Sequence, residues 1–341
     1  MSETNTTPGR RMRGFTHAPS RRLPPARRPM TPTPFDELPA DLLAELAACA
    51  LDPSVIYQHV LAAFEEDLPG DALDTATVAA IPPEQLGVAD FVAHDHGVVA
   101  GLGVAAMAFH AAMGDAVAVS GRLADGTRVE PGQNVMQVSG PTAGLLIVER
   151  TALNFATHLS GVATATAAWV EALADTNTRV LDTRKTLPGW RALQKYAVRC
   201  GGGVNHRMSL ADRAIVKDNH ALAAGGVVPA FQAVRARFPR LRVEVEVADL
   251  SQLTELLDAG CAEILLDNMD DDQLAEAVRI VDGRATLEAS GGMTLERAAA
   301  VGATGVDFVS VGALTHSAVV LDIGMDLHAA ADIGDPLTVL G

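Results

Sequence analysis

Aromatic side chains are scarce in this sequence: two Trp, two Tyr and nine Phe among 341 residues. A core of the size such a chain needs must therefore be filled mainly by Ala, Val, Leu and Ile, and hydrophobic residues do make up 48%. Cysteine is scarcer still. Cys49, Cys200 and Cys261 are odd in number and far apart, which argues against a disulfide framework and for a reducing compartment, with the three thiols as small core groups. No apolar run approaches the ~18 uninterrupted residues a membrane span requires. These absences lead us to expect a cytoplasmic protein of two domains, or one large α/β domain, with neither a membrane nor a nucleic acid as partner.

Lysine is nearly missing. Of 26 basic residues only Lys185, Lys195 and Lys217 are lysine, and they fall in one stretch. An ammonium is a compact point charge and a guanidinium a rigid planar fork, so at least one of these positions is expected to need the ammonium. The net charge of −16 is also uneven. Residues 1–34 carry seven Arg against one Glu, and residues 184–217 carry eight cations against Asp212. The remainder is then −16 − 6 − 7 = −29. An acidic chain that concentrates cations in one internal segment is prepared for an anionic ligand. The plainer account, a solvated basic helix face, covers Arg191, Lys195 and Arg199, spaced i, i+4, i+8.

Residues 1–34, rich in Pro, Arg and Thr without apolar periodicity, read as a disordered tail. Arg10-Arg11 is not followed by an apolar stretch, which argues against export, and the prolines argue against an amphipathic transit helix. Residues 35–155 mix helix and strand: helices over Asp36–Ala50 and Pro53–Glu66, a strand, turn and helix over Val98–Met113, and strands at Val117–Ser120 and Val135–Ser139. A long helix is expected from about Gly144 to Ala174. From residue 179 the pattern becomes a βα alternation, with strands beginning near Arg179, Arg213, Arg242, Glu263, Ala285 and Asp307. Helices near 190–200, 221–238, 250–259, 271–281 and 294–302 separate them. Such repetition implies a parallel sheet curled into a closed or partly open α/β barrel over residues 156–324, with 325–341 left as a C-terminal segment. The fold class is α/β: an N-terminal α/β sandwich-like domain followed by that barrel.

Enzymes on such barrels hold their chemistry at the C-terminal ends of the strands. Those ends carry Arg184-Lys185, Lys217-Asp218-Asn219, Glu246, Asp267-Asn268, Ser290-Gly291-Gly292 and Gly312. Early cations suit a polyanionic substrate. Glu246 and Asp267, on adjacent strands, suit a Mg²⁺ shared with substrate phosphate, although strand-end acids paired with Arg would look the same. The last glycines let main-chain N–H groups approach a phosphate, or simply make tight βα turns. Elsewhere, Gly101-Leu-Gly103-Val-Ala-Ala106 with Asp125 partly matches a dinucleotide fingerprint, but no βαβ unit follows. His94 and His96 read as a loop pair, since no third metal ligand is spaced nearby.

Several segments together resemble one family. Glu149-Arg150-Thr-Ala-Leu-Asn154 and Leu159–Thr164 resemble a long interdomain helix. Asp182-Thr-Arg-Lys-Thr-Leu-Pro-Gly-Trp-Arg191, Gly201-Gly-Gly-Val-Asn-His-Arg207 and Ile215-Val-Lys-Asp-Asn-His220 are similar to the motifs of the quinolinate phosphoribosyltransferase (decarboxylating) family. Val243–Val247, Leu265–Met269, Leu287–Gly292 and Ser310–His316 follow in the family's order, so the resemblance covers roughly residues 36–328. It implies an α/β N-terminal domain and an incomplete, open α/β barrel, and transfer of phosphoribose from phosphoribosyl pyrophosphate to quinolinate, with Mg²⁺ and loss of CO₂, by a homodimer in which one subunit's N-terminal domain closes the partner's barrel; a higher oligomer stays open. It further implies that Arg184 and Arg207 grip the two carboxylates, with His206 and Lys217 nearby and Arg150 supplied across the interface. Lys185 would meet the pyrophosphate, Glu246 and Asp267 would hold Mg²⁺, and Lys185, Glu246 and Asp267 form the expected catalytic set. Ser290, Gly291, Gly292 and Gly312 would cradle the 5′-phosphate, and Thr183 and Val311 complete the expected substrate-binding set. Two alternatives stand beside this: a paralogue acting on another acid, of the type associated with molybdenum transport, and a non-catalytic phosphate-sugar sensor.

Overall fold

A computed structural model describes residues 30–328; the rest of the expected 1–34 tail and of the C-terminal segment lies outside the described residues. Pro39 decides the first departure from expectation. Proline fits the start of a helix but not its interior, so the helix expected over Asp36–Ala50 becomes a 3₁₀ turn at Phe35–Glu37 and then α1, Ala40–Ala48. Helix α2, Pro53–Asp67, begins where the Asp52 carboxylate accepts from the Ser54 and Val55 N–H groups, satisfying donors a helix start leaves orphaned. Helix α3, Thr75–Ala80, is capped in the same way by Asp74. Strand β1, Leu86–Ala93, and β2, Gly97–Val98, lead into the apolar helix α4, Leu102–Met113. Strands β3 (Ala118–Ser120), β4 (Arg128–Val129) and β5 (Asn134–Pro141) follow.

Helix α5, Thr142–Ala172, joins the two halves. It packs on α4, β1 and β5 on one side and on β6 (Arg179–Leu181) and α6 (Arg191–Cys200) on the other. Gly161 lets the Val319–Val320 segment cross α5 closely, since a Cβ there would lie 2.2 Å from the Val319 carbonyl oxygen. The alternation then runs β7 (Ala214–Val216), α7 (Asp218–Ala224), α8 (Val227–Arg237), β8 (Val243–Val247), α9 (Leu250–Asp258), β9 (Glu263–Asp267), α10 (Asp271–Val281), β10 (Thr286–Ser290), α11 (Ala298–Ala303), β11 (Phe308–Ser310) and α12 (Ala313–His316). The helix expected over 221–238 is broken at Gly225-Gly226, both at positive φ.

All six of these strands are parallel, in the order β6-β11-β10-β9-β8-β7. That is the cyclic order of a barrel whose seam is left open between β6 and β7. At the seam Val204 runs beside β6, its N–H donating to the Val180 carbonyl and its carbonyl accepting from Asp182 N–H. Two expected boundaries need correction. The chain returns after α12 as β12, Ile323–Leu327, and pairs antiparallel with β1, from Ala93↔Ile323 to Ala89↔Leu327. The four-stranded antiparallel sheet β12-β1-β5-β3 thus contains the last strand of the described residues, and a boundary at 324 cuts a strand. A boundary at 155 likewise cuts α5, whose hydrogen-bonded turns continue through it. Met30–Pro34, expected to belong to the tail, dock on the N-terminal half: Thr33 N–H donates to the Ala111 carbonyl, and Tyr57 Oη donates to the Thr33 carbonyl.

Candidate active site

Directly after β6 the chain presents Thr183, Arg184 and Lys185. Thr183 Oγ1 accepts from Lys185 N–H at 3.0 Å, and Thr315 Oγ1 donates to the Lys185 carbonyl at 2.8 Å. Both ends of the residue's main chain are thus fixed, and the side chain is left to project. Its stem lies against Gly312, where a Cβ would come within 3.0 Å of Lys185 Cδ. Arg207 enters from the segment beside the seam, with one terminal nitrogen donating to the Arg213 carbonyl at 2.9 Å. The Nε atoms of Arg184 and Arg207 are both buried without a hydrogen-bond partner among the described residues. Burial, and then the charge of Arg184, hold the Arg207 guanidinium below its ordinary pKa. Two guanidinium groups that repel each other, each with a buried donor unused, form a site for a planar anion.

Beneath them lies a buried scaffold the sequence did not reveal. Lys195 and Asp182 are each fully buried and paired. Lys195 Nζ also donates to the His206 carbonyl at 3.0 Å, while Asp182 accepts from His206 N–H at 2.9 Å and from Asn205 Nδ2. The expected solvated face of Arg191, Lys195 and Arg199 is therefore a correction. Arg191 bonds Thr186 and the Met208 carbonyl, and Arg199 bonds Asn205 and the Cys49 carbonyl. Arg213 is paired with Glu263. Four of the eight clustered cations thus hold the fold; of the other four, Arg184, Lys185 and Arg207 have no ion-pair partner among the described residues, and Lys217 pairs with Glu246.

His206 is only 7% exposed. Its Nε2 lies 3.0 Å from a Glu244 oxygen and 3.2 Å from a Glu288 oxygen, and its Nδ1 accepts the Arg207 N–H at 2.6 Å. With both ring nitrogens engaged, it underlies the site rather than facing it. Burial pulls the imidazole down, but hydrogen bonds and charge from the two carboxylates outweigh it and lift the ring to about 9. Burial raises Glu288, and hydrogen bonding to His206 outweighs burial at Glu244, which is lowered. The three groups share their protons as a unit. The contact at Nδ1 places the proton: a nitrogen that accepts the Arg207 N–H carries none, so Nε2–H is the donor to the two carboxylates.

After β7, Lys217 starts α7 and its ammonium pairs with Glu246. Glu246 and Asp267 line one cleft of about 400 Å³ at the ends of adjacent strands β8 and β9. Asp267 also accepts from Asn268 Nδ2 at 2.8 Å. Ser290, Gly291 and Gly292 follow β10. Gly291 sits at φ +86°, and a Cβ there would fall 2.2 Å from Asn268 Oδ1, so the turn brings main chain close to the mouth only as glycine. Two expected ligands are not brought in. Val311 is 2% exposed and its N–H donates to the Leu181 carbonyl, so it joins β11 to β6 and offers no free donor. Arg150 stands on α5 with its side chain 65% exposed and only Glu149 as an ion-pair partner among the described residues.

With this geometry in place, likeness to known proteins can be weighed. The family model for the quinolinate phosphoribosyl transferase N-terminal domain matches residues 74–160, and that for the C-terminal domain matches residues 162–326. The chain belongs to the quinolinate phosphoribosyltransferase family. A nicotinate-nucleotide pyrophosphorylase [carboxylating] of Mycobacterium leprae is 49% identical over 286 residues, 83% of this chain and 100% of that one. A quinolinate phosphoribosyltransferase [decarboxylating] of Nicotiana glauca is 39% identical, covering 80% of this chain and 83% of its own length. The crystal structure of NadC from Streptococcus pyogenes superimposes with a TM-score of 0.78 at 40% identity, over 82% of this chain and 98% of that one. The competing dinucleotide reading ends here too. In this family member Asp125 accepts the Gly101 and Leu102 N–H groups and the Tyr196 hydroxyl: it caps α4 and is not free for a ribose. Glu244 and Glu288 are the residues sequence reasoning missed. Their signal was visible, since Glu244 lies two residues before Glu246 and shares its face of the strand.

Proposed function

We propose that the chain transfers phosphoribose from phosphoribosyl pyrophosphate to quinolinate and releases CO₂, giving nicotinate mononucleotide and pyrophosphate. The observation that carries this reading is the pair of repelling guanidinium groups, each with a buried, unpartnered Nε, in a chain of this family. Quinolinate places two carboxylates on adjacent ring carbons, and planar forks match them bidentately. Arg184 and Arg207 take one each, with Lys217 beside them and His206 holding Arg207 from below. Lys185 reaches the pyrophosphate, where an ammonium can follow moving phosphate oxygens. Ser290, Gly291, Gly292 and Gly312 approach the 5′-phosphate through the main chain.

Glu246 and Asp267 offer hard carboxylate oxygens in one cleft, which fits a Mg²⁺ bound together with substrate phosphate. When bound, that ion would neutralise charge on the leaving pyrophosphate. The chain's own cations do the rest. Lys185 stabilises the departing group as the ribose C1–oxygen bond weakens, and the arginines hold the pyridine nitrogen in line with C1. Once that nitrogen is bonded and cationic, the C2–carboxylate bond breaks, its electron pair stays beside the positive nitrogen, and a proton replaces CO₂ at C2. No nucleophilic side chain is needed. The family's homodimer, with Arg150 entering the partner's site, accounts for the exposure of Arg150 on α5. No single helix among the described residues is long and apolar enough to cross a membrane.

The test supplies purified chain, phosphoribosyl pyrophosphate and Mg²⁺ with quinolinate or nicotinate. Nicotinate mononucleotide and CO₂ from quinolinate alone, abolished by a chelator, are expected. Product from nicotinate, or none from quinolinate with a folded chain, would overturn the reading.

A further inference from the structure

The barrel interior should be apolar if it were only packing, because parallel strands covered on both faces normally read as unbroken apolar runs. Strand β8 does not: Val243, Val245 and Val247 are buried towards the helices, while Glu244 and Glu246 point the other way. Glu246 stands at the mouth. Glu244 is one layer deeper and is 2% exposed, and Glu288 on β10 is 3% exposed. On the intervening strand β9, Leu265 is registered with Glu246 on one side and Glu288 on the other. Two carboxylates buried this deeply are costly unless they are bonded to something that needs them.

Both converge on one atom, Nε2 of His206. Its other nitrogen, Nδ1, accepts the main-chain N–H of Arg207. The main chain of His206 is held as well: Asp182 accepts from its N–H in the preceding peptide, and Lys195 donates to its carbonyl, which shares a peptide plane with the Arg207 N–H. Arg213, 3.8 Å from the second Glu244 oxygen, ties the same carboxylate to β7, and its carbonyl accepts from the Arg207 guanidinium. A continuous path therefore runs from two buried acids, through one imidazole and one arginine, to the main chain and the side chain of Arg207. Lys185, Gly291 and Gly312 lie on other strand ends and make none of these contacts.

We propose that Glu244 and Glu288 are positioning residues for the aromatic diacid: they hold the His206 ring, the ring holds the Arg207 main chain, and Arg207 is thereby fixed for one carboxylate of quinolinate. This rests on the function proposed above and deepens it. The two acids touch no substrate. Their effect is confined to the diacid half of the site, and it depends on a hydrogen-bond acceptor facing Nε2.

The experiment compares Glu244→Leu and Glu244→Gln in the full chain, with both Michaelis constants measured and melting followed in parallel. The wild-type chain is the control for the function itself: if it makes no nicotinate mononucleotide, the proposed reaction fails before the positioning role is reached. With an active wild type, Glu244→Leu is expected to raise the quinolinate constant at least tenfold and to move the phosphoribosyl pyrophosphate constant less than twofold. Glu244→Gln keeps an acceptor for Nε2 and can donate to Glu288, so it should stay within about threefold of wild type. Glu288→Leu carries the same expectation from the other side of the ring, so a Glu244→Leu chain that does not fold leaves the test in place. Combined with Arg207→Lys, the Leu variant should add less than the product of the two single effects. Equal rises in both constants, a Gln variant as damaged as the Leu variant, or full multiplicativity with Arg207→Lys would overturn the proposal.

Discussion

Replacing Lys195 by Met tests whether the cations of residues 184–217 divide into supports and ligands. Lys195 and Asp182 are both fully inaccessible to solvent. Burial holds the lysine below its ordinary pKa and the aspartate above its own, and their mutual attraction only partly offsets this. The pair as a whole therefore adds little stability over an apolar substitute, but breaking one side leaves an uncompensated buried charge, which costs about 3–5 kcal/mol. In Lys195→Met, Asp182 keeps the His206 N–H and the Asn205 amide, so the lower end of that range applies to the carboxylate. The lost bond to the His206 carbonyl adds about 1 kcal/mol. At roughly 2 °C per kcal/mol for a chain of this size, the midpoint should fall by about 8 °C. The double variant Lys195→Met/Asp182→Asn removes both charges while an amide oxygen still accepts from His206 N–H, so it should regain about half of that loss. Calorimetry near pH 7.5 on wild type, both singles and the double reads this directly. A loss under ~2 °C in Lys195→Met, or a double whose loss equals the sum of the singles, would refute the reasoning.

Four further outcomes follow from the geometry. Either Glu246→Gln or Asp267→Asn should raise the Mg²⁺ concentration for half-maximal activity at least tenfold; an unchanged Mg²⁺ titration in both would remove the metal assignment. Gly291→Ala forces a side chain into positive φ and onto Asn268. It costs about 1–2 kcal/mol locally and should raise the Michaelis constant for phosphoribosyl pyrophosphate about tenfold while quinolinate binding, measured calorimetrically, stays unchanged. Arg150→Ala and Lys185→Ala chains, each nearly inactive alone, should regain about a quarter of wild-type activity when unfolded and refolded together, because half of the dimers are mixed and each mixed dimer has one intact site; no recovery would place Arg150 outside the partner's site. Asp74→Ala removes the cap of α3 and should cost about 1 kcal/mol at pH 7. Hydrogen bonds from the Thr77 side chain and main chain hold this carboxylate below its ordinary range. Its contribution is therefore present above the unfolded value near 3.8 and is lost as pH falls through the lower folded value, so melts of variant and wild type should converge towards pH 2.

The parts of this structure that sequence reasoning reached are those whose signal is local. Helix α5 announces itself through an apolar pattern sustained over 31 residues. The six parallel strands do so because apolar runs end on residues a packing strand would not choose, such as Glu246 or Asp267. What it missed depends on partners remote in sequence. Strand β12 is five residues long with a glycine and an aspartate inside it, and only β1, more than two hundred residues earlier, makes it a strand. Lys195 fell on the same periodic face as two arginines, and spacing alone gave that face to solvent; an aspartate at the end of β6 buries it instead. The alternation at Val243–Val247 was visible but undervalued, since a strand with helices on one side and a barrel interior on the other leaves Glu244 no route to water. The cluster His206–Glu244–Glu288 draws on a seam segment and two strands. What separates Arg184 and Arg207 from Lys195 and Arg213 is whether the chain also delivers an acid to the cation. Asp182 and Glu263 are delivered to Lys195 and Arg213, whereas Arg184 and Arg207 repel each other, and that difference is written in tertiary contacts rather than in residue type.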